Sequence, residues 1–355
     1  MTFRISRIHK LLLLALVGLT SCIKGELPDI DVDVIAVTSP EGNLSNVVIH
    51  PGGEIEAYAV PGTDLSNLKL EFELSPGATI VPEPATVTNY TLPRTFRVTS
   101  EDGQWSLDYR LSVRITSIPT RYEFEHWLQP DKMRYLIPYE VKESTRMMVW
   151  SCGNQAYNFL TDKFDDYTVF PTQPTEESYS GKHAAKLITR LTGQIDKPIA
   201  AGNLFIGQFD SSKYDPKEST MFGLPFMSKP LRLKGMYKYR SGGLTNKGGK
   251  EDCCRIQAIL YRTDMGESHL NGYTSKNSES IIARAELTEE VNATPGEGYV
   301  PFELDFVYRA DFDNALMERG HYNLTIIFSS SRNGDEYDGA PGSTLLIDDV
   351  EIICQ

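Results

Sequence analysis

The sequence predicts an all-β protein: an N-terminal Ig-like β-sandwich followed by a β jelly-roll domain. Three observations lead there. Apolar and polar residues alternate with a period of two in segments spread over the whole chain, as half-buried strands require. Turn-forming stretches such as "SPEGN", "HPGGE", "VPGTD" and "LSPGA" separate them. Helical patterning is scarce, and "DFDNALMERG" is the best case, with Asp313 as a potential N-cap and Gly320 as a stop.

Taken in order, the chain starts with a cationic segment, Arg4, Arg7 and Lys10, and an apolar run from Leu11 to Leu19. That run is too short to cross a ~30 Å hydrocarbon layer as a helix and reads as a secretory signal over residues 1–21. Leu19-Thr20-Ser21-Cys22 resembles the bacterial lipobox, which implies acylation of Cys22 and anchorage to a membrane through the lipid. Two or more acyl chains hold firmly where one holds marginally. The acidic residues that follow, Glu26 and Asp29 within a tether over 22–30, resemble the tethers of surface-exported Bacteroidetes lipoproteins. The expectation is an outer-membrane lipoprotein exposed at the surface.

From residue 31 to 118 strands dominate. Leu68, Leu70, Phe72 and Leu74 alternate without a fault. Phe96 and Val98 lead into "SEDGQ", after which Trp105, Leu107, Tyr109, Leu111 and Val113 alternate again, the signature of a β-hairpin. Short strands at this spacing describe a sandwich of immunoglobulin size, without the cysteine pair and central tryptophan of antibody domains. Pro119 in "TSIPTRYEF" ends this pattern, and residues 119–355 form a second β-rich unit in which Phe302–Tyr308 and Tyr322–Phe328 alternate. Its length and its lack of helices favour two packed antiparallel sheets.

The formal charge of the chain is −13, and loss of the signal, which carries three cations and no acid, takes it to −16. Such a field repels phosphate backbones, so nucleic acid is excluded as a partner. Of five cysteines, Cys152, Cys253, Cys254 and Cys354 remain after Cys22 is acylated. An exported compartment permits disulfides, with three full pairings open, and a structural role is expected. The spacing does not fit a zinc site.

"YEFEHW", "IAAGNLFIGQF", "FGLPFMSKPLRLKGMYKY" and "IIFSSSRNGDEYDGAPGSTLLIDDVEI" together resemble the "putative carbohydrate metabolism" domain of Bacteroidetes lipoproteins, across Thr120 to Gln355. "FELSPGATIVP" and "TFRVTSEDGQWSLDYRLSV" resemble the small Ig-like modules at the N-termini of such lipoproteins. The resemblance implies a jelly roll of the carbohydrate-binding-module or glucanase type.

Sugar rings stack their apolar faces on aromatic rings while polar side chains take the hydroxyls. Candidates for such a site are Trp127, Trp150, Tyr237 and Tyr239, with Asn154 and Arg240 beside them. Glu123 and Glu125 on one strand face, with Asp348 and Asp349 at the closing strand, form a candidate oxygen set for a structural calcium. A glycosidase needs two carboxyls ~5–10 Å apart, and Glu123, Glu125, Asp252 and Asp335 are available. The Glu-x-Asp-x-x-Glu strand of glucanases is absent, as are a Gly-x-Ser-x-Gly elbow and phosphate-binding loops. Glycan binding without catalysis is therefore the leading expectation. The alternatives are a glycoside hydrolase or lyase on the same scaffold, or a subunit of a surface complex that recognises protein.

Overall fold

The computed structural model describes residues 30–59, 63–114, 117–130, 133–142, 145–158, 166–210, 213 and 215–355. The signal segment, Cys22 and the tether up to residue 29 lie outside them. The protein is all-β. Among the described residues no helix is long and apolar enough to cross a membrane.

In the N-terminal body a five-stranded sheet runs in the order Leu44–His50, Glu54–Ala59, Ser106–Arg114, Arg94–Thr99, Thr79–Val81. A two-stranded sheet, Val34–Thr38 with Glu71–Leu74, packs against it through Phe72 and Phe96, whose ring centroids are 4.8 Å apart. The hairpin read from the sequence is present, pairing Phe96 with Tyr109 and Val98 with Leu107. Its inward-facing residues Phe96, Val98, Tyr109 and Leu111 are buried because alternate positions share one face. Trp105 falls at the turn and is 52% exposed. Tyr109 then ties down the start of the chain: its hydroxyl donates to Val32 O at 3.1 Å and accepts from Val34 N.

The second body is a sandwich of an eight-stranded and a six-stranded sheet with one continuous core between them. The six-stranded sheet runs Thr172–Thr175, Ala184–Ile188, Thr344–Cys354, Pro230–Arg240, Val300–Asp305. The first short strand, Arg121–Tyr122, pairs with Val350 and Glu351 of the last, so the two ends of this body lie side by side. In the facing sheet Tyr322–Ser329 is buried on both faces. Tyr322, Leu324, Ile326 and Phe328 enter the main core, while Ile327 joins a smaller cluster with Phe205, Tyr261 and Leu270 on the other side. The expected helical turn is Asn314–Glu318, capped by Asp313, whose carboxylate accepts from Ala315 N at 2.8 Å and Leu316 N at 3.3 Å. Gly320 ends it with φ +73°.

The two bodies meet through buried contacts. Val48 and Tyr58 of the first pack into the core of the second. The ring of His50 lies 2.9 Å from Met148 O, and Gln208 donates to Ile49 O at 3.2 Å. Glu56 accepts both Nε and Nη2 of Arg114, which also donates to Arg146 O, and Arg146 in turn reaches Glu54 at 2.8 Å. All four described cysteines are free thiols. Cys152 and Cys254 pack in the main core, where burial pushes both thiols up to about 12.

Candidate functional site

The fold separates the aromatic candidates. Trp150 is fully buried, edge-on to Tyr122 at 5.0 Å and tilted against Phe124 and Phe328. Tyr237 packs on Phe302, and Tyr239 donates its hydroxyl to Ser330 O at 3.0 Å. These three have no ring face left for a ligand, because their strand positions point between the sheets. Trp127 is half-buried against the same core and donates its indole N–H to Phe124 O at 2.8 Å. Asn154 is fully buried: its amide donates to Thr172 O at 2.6 Å and accepts from Thr172 N at 3.1 Å. Arg240 is exposed, on the outer face of the six-stranded sheet.

The four carboxylates do not build a calcium cage. Glu123 is exposed and pairs with Arg121 at 3.2 Å. Glu125 spends both oxygens on Lys182 N at 3.0 Å, and Asp348 accepts from Tyr179 N at 2.8 Å, Ser180 N at 3.1 Å and Asp349 N at 2.9 Å. Calcium takes six to eight oxygens. Among the described residues no three carboxylate, histidine or cysteine side chains converge as a metal would require. Glu125, just before the strand His126–Leu128, and Asp348, on the last strand, instead clasp one loop, residues 179–183. Gly181 lets that loop close, with φ +62° and a position where a Cβ would stand 1.9 Å from Glu125 Oε1. Gly181→Ala is expected to lower stability by about 2 kcal/mol, read as a fall in the thermal midpoint. An unchanged midpoint would show that the clasp is slack.

The other carboxylates weighed for catalysis are also committed. Asp252 is buried and accepts from Ser331 Oγ, Ser343 Oγ at 2.7 Å and Ala340 N at 2.8 Å. Asp335 is held by Lys276 at 3.1 Å and Arg255 at 3.5 Å.

An open cleft of about 690 Å³ lies over the edge of the six-stranded sheet formed by Thr172–Thr175 and Ala184–Ile188. Tyr157 and Tyr167 stand on one wall; Gln173, Lys186, Ile188 and Arg190 belong to the sheet side. Lys186 and Ile188 point outward because Ala185 and Leu187, alternating with them, fill the core. Asn154, one turn before Tyr157, pins that wall to Thr172, so this residue positions the cleft without lining it. Tyr157 also donates its hydroxyl to Leu191 O at 3.3 Å and packs edge-on against Phe170. Tyr167 is held by a short turn whose N-cap, Asp166, accepts from Thr168 N at 2.9 Å, and it keeps 42% of its surface open. Arg190 donates Nη2 to Thr168 O at 2.7 Å.

None of these cleft residues except Asn154, as its support, stands out in the sequence. The signal that was available is Lys186 and Arg190 in "AAKLITRL", two cations four apart in a mostly apolar segment, downstream of a stretch with several tyrosines.

A jelly roll with an open, tyrosine-walled polar cleft is the build of a carbohydrate-handling domain. Residues 123–353 match the family model described as "Putative carbohydrate metabolism domain", and the chain belongs to that family. Residues 35–113 match the model "SGBP, N-terminal". The chain is similar to a crystal structure from Bacteroides thetaiotaomicron described as a "putative glycoside hydrolase", at 35% identity and a TM-score of 0.84 over 93% of this chain and 98% of that one. A Bacteroides vulgatus structure described in the same words matches at 35% identity with a TM-score of 0.61, over 67% of this chain and 99% of the other. No curated protein matches the chain. These likenesses establish a Bacteroidetes-type protein with a glycan-related role.

Proposed function

We propose that the protein is an outer-membrane lipoprotein, held through Cys22, whose second body captures glycan in the cleft over Thr172–Ile188 and does not cleave it. The observation that carries the reading is the cleft's chemistry: two tyrosine rings against amide and cationic side chains, with Asp166 as the one carboxylate among its described lining residues. A glycosidase needs two. The N-terminal body then serves as a spacer between lipid and ligand.

The hydrolase reading draws on the descriptions of the two similar Bacteroides structures. It would require an acid with a raised pKa beside an ionised partner in an open site. Burial raises the carboxyls of Glu140, to about 7, and of Glu56 and Asp348, and none of the three is part of the cleft wall.

Glycan-array binding by the full chain, followed by reducing-end assays on each bound polymer, separates the readings. Binding without chain shortening is expected. Tyr157→Ala and Tyr167→Ala should each weaken binding roughly tenfold, the loss of about 1.4 kcal/mol of ring stacking. Release of reducing ends that disappears on changing a carboxylate would replace capture with hydrolysis.

A further inference from the structure

Strand pairing places a set of cations on the outer face of the six-stranded sheet, beside and beyond the cleft. Gln173 opposes Lys186, Lys186 opposes Leu346, and Leu346 opposes Lys238. Directly opposed residues of antiparallel strands share a face. With ~4.8 Å between strands, the two lysines therefore stand ~10 Å apart with a leucine between them. The neighbouring row reads Ile188, Thr344, Arg240. Tyr237, Tyr239, Leu345 and Ile347 point the other way, into the core.

Lys238 is neutralised by Glu177 at 2.6 Å. Lys186 and Arg240 have no ion-pair partner among the described residues, and the buried Nε of Arg190 has no hydrogen-bond partner among them. Open cations concentrated in this way run against a chain whose formal charge is −13. A general acidic surface explains solubility; it does not explain why this tyrosine-walled cleft is floored by Lys186 and Arg190, with Arg240 two strands beyond it on the same sheet face.

We propose that the cleft selects an acidic glycan. Lys186 and Arg240 receive an anionic oxygen group on the sugar, a carboxylate or a sulfate ester, while Tyr157 and Tyr167 take ring faces. This rests on the glycan-capture reading above and names the class of sugar. Charge-assisted hydrogen bonds to such a group are stronger than those to hydroxyls, and a planar guanidinium can engage two of its oxygens at once.

Isothermal titration of the full chain with oligogalacturonate (carboxylates only), carrageenan oligosaccharides (sulfates only) and cello-oligosaccharides (neutral) tests the inference. One acidic series is expected to bind at least tenfold more tightly than the neutral one, and its identity tells carboxylate from sulfate. That preference should shrink as salt is raised, since exposed pairs are screened. The double change Lys186→Gln and Arg240→Gln should abolish the preference while the thermal midpoint stays put. Equal affinity for all three series, with Tyr157→Ala still weakening them, would overturn the acidic selection and leave glycan capture intact. No binding to any glycan of a mixed neutral and acidic array would remove both.

Discussion

Trp150→Ala is expected to destabilise the second body by about 4 kcal/mol, the cost of removing a large aromatic from a packed core. The indole is fully buried, with Tyr122, Phe124 and Phe328 around it at ring distances of 5.0 to 6.0 Å. It sits on the short strand Trp150–Ser151, which pairs with Ile206 and Phe205 at the edge of the eight-stranded sheet. It thereby joins that edge to the strand of Tyr122 on the facing sheet. A cavity there would be lined by rings that cannot collapse into it without moving two strands. Thermal melts should show a midpoint lower by roughly 10 °C, and Trp150→Phe should recover part of the loss. A sugar platform would behave in the opposite way, losing affinity at unchanged stability. Retention of the wild-type midpoint by Trp150→Ala would sink the core assignment.

The contrast between Trp150 and Tyr167 explains what could be read in advance. Alternation is a property of neighbouring residues, so the hairpin through Phe96 and Tyr109, the capped turn at Asp313 and the all-β class were legible. Which face of a strand looks outward depends on what another strand, far away in sequence, places against it. "KGMYKYR" announced that Tyr237 and Tyr239 share a face, and that is how they lie. Only the partner strand Thr344–Cys354 and the opposite sheet decide that the shared face is the inner one. The same pairing exposes Arg240, while Trp127 of the same sequence-derived set stays half-buried. Tyr157 and Tyr167 come from a connection without periodicity, where aromatic residues carry no local mark of exposure. Glu125 and Asp348 drew attention as acids near the two ends of one domain, and those ends do meet. What the carboxylates hold is backbone N–H of the 179–183 loop, a donor set that has no signature in composition.

The last expectation concerns pH and arises where the two bodies touch. Burial pushes the Glu140 carboxyl up to about 7, against the pull of the Glu123 amide at 3.3 Å and the nearby Trp150 indole. Burial also lowers His50 to about 4, its ring contact with Met148 O offsetting part of that shift. The signs oppose. An acid whose folded pKa lies above its unfolded one is most favourable to the fold at low pH, and that stability drains away as pH climbs from about 4.5 to about 7. A histidine whose folded pKa lies below its unfolded one costs stability as pH falls from 6.5 to about 4. The two windows overlap and these two slopes offset each other. Glu140→Gln removes one slope and keeps the other. Relative to the parent, the variant should gain stability steadily from pH 5 to pH 7, and at pH 8 should exceed it by about 3 kcal/mol, the cost of ionising a carboxyl that is 7% exposed. Because burial also raises Glu56 and Asp348 in both proteins, the difference between parent and variant, not either profile alone, reports Glu140. Urea melts of the pair at pH 5 and pH 8 measure it, and parallel profiles would show that Glu140 titrates as an ordinary surface acid.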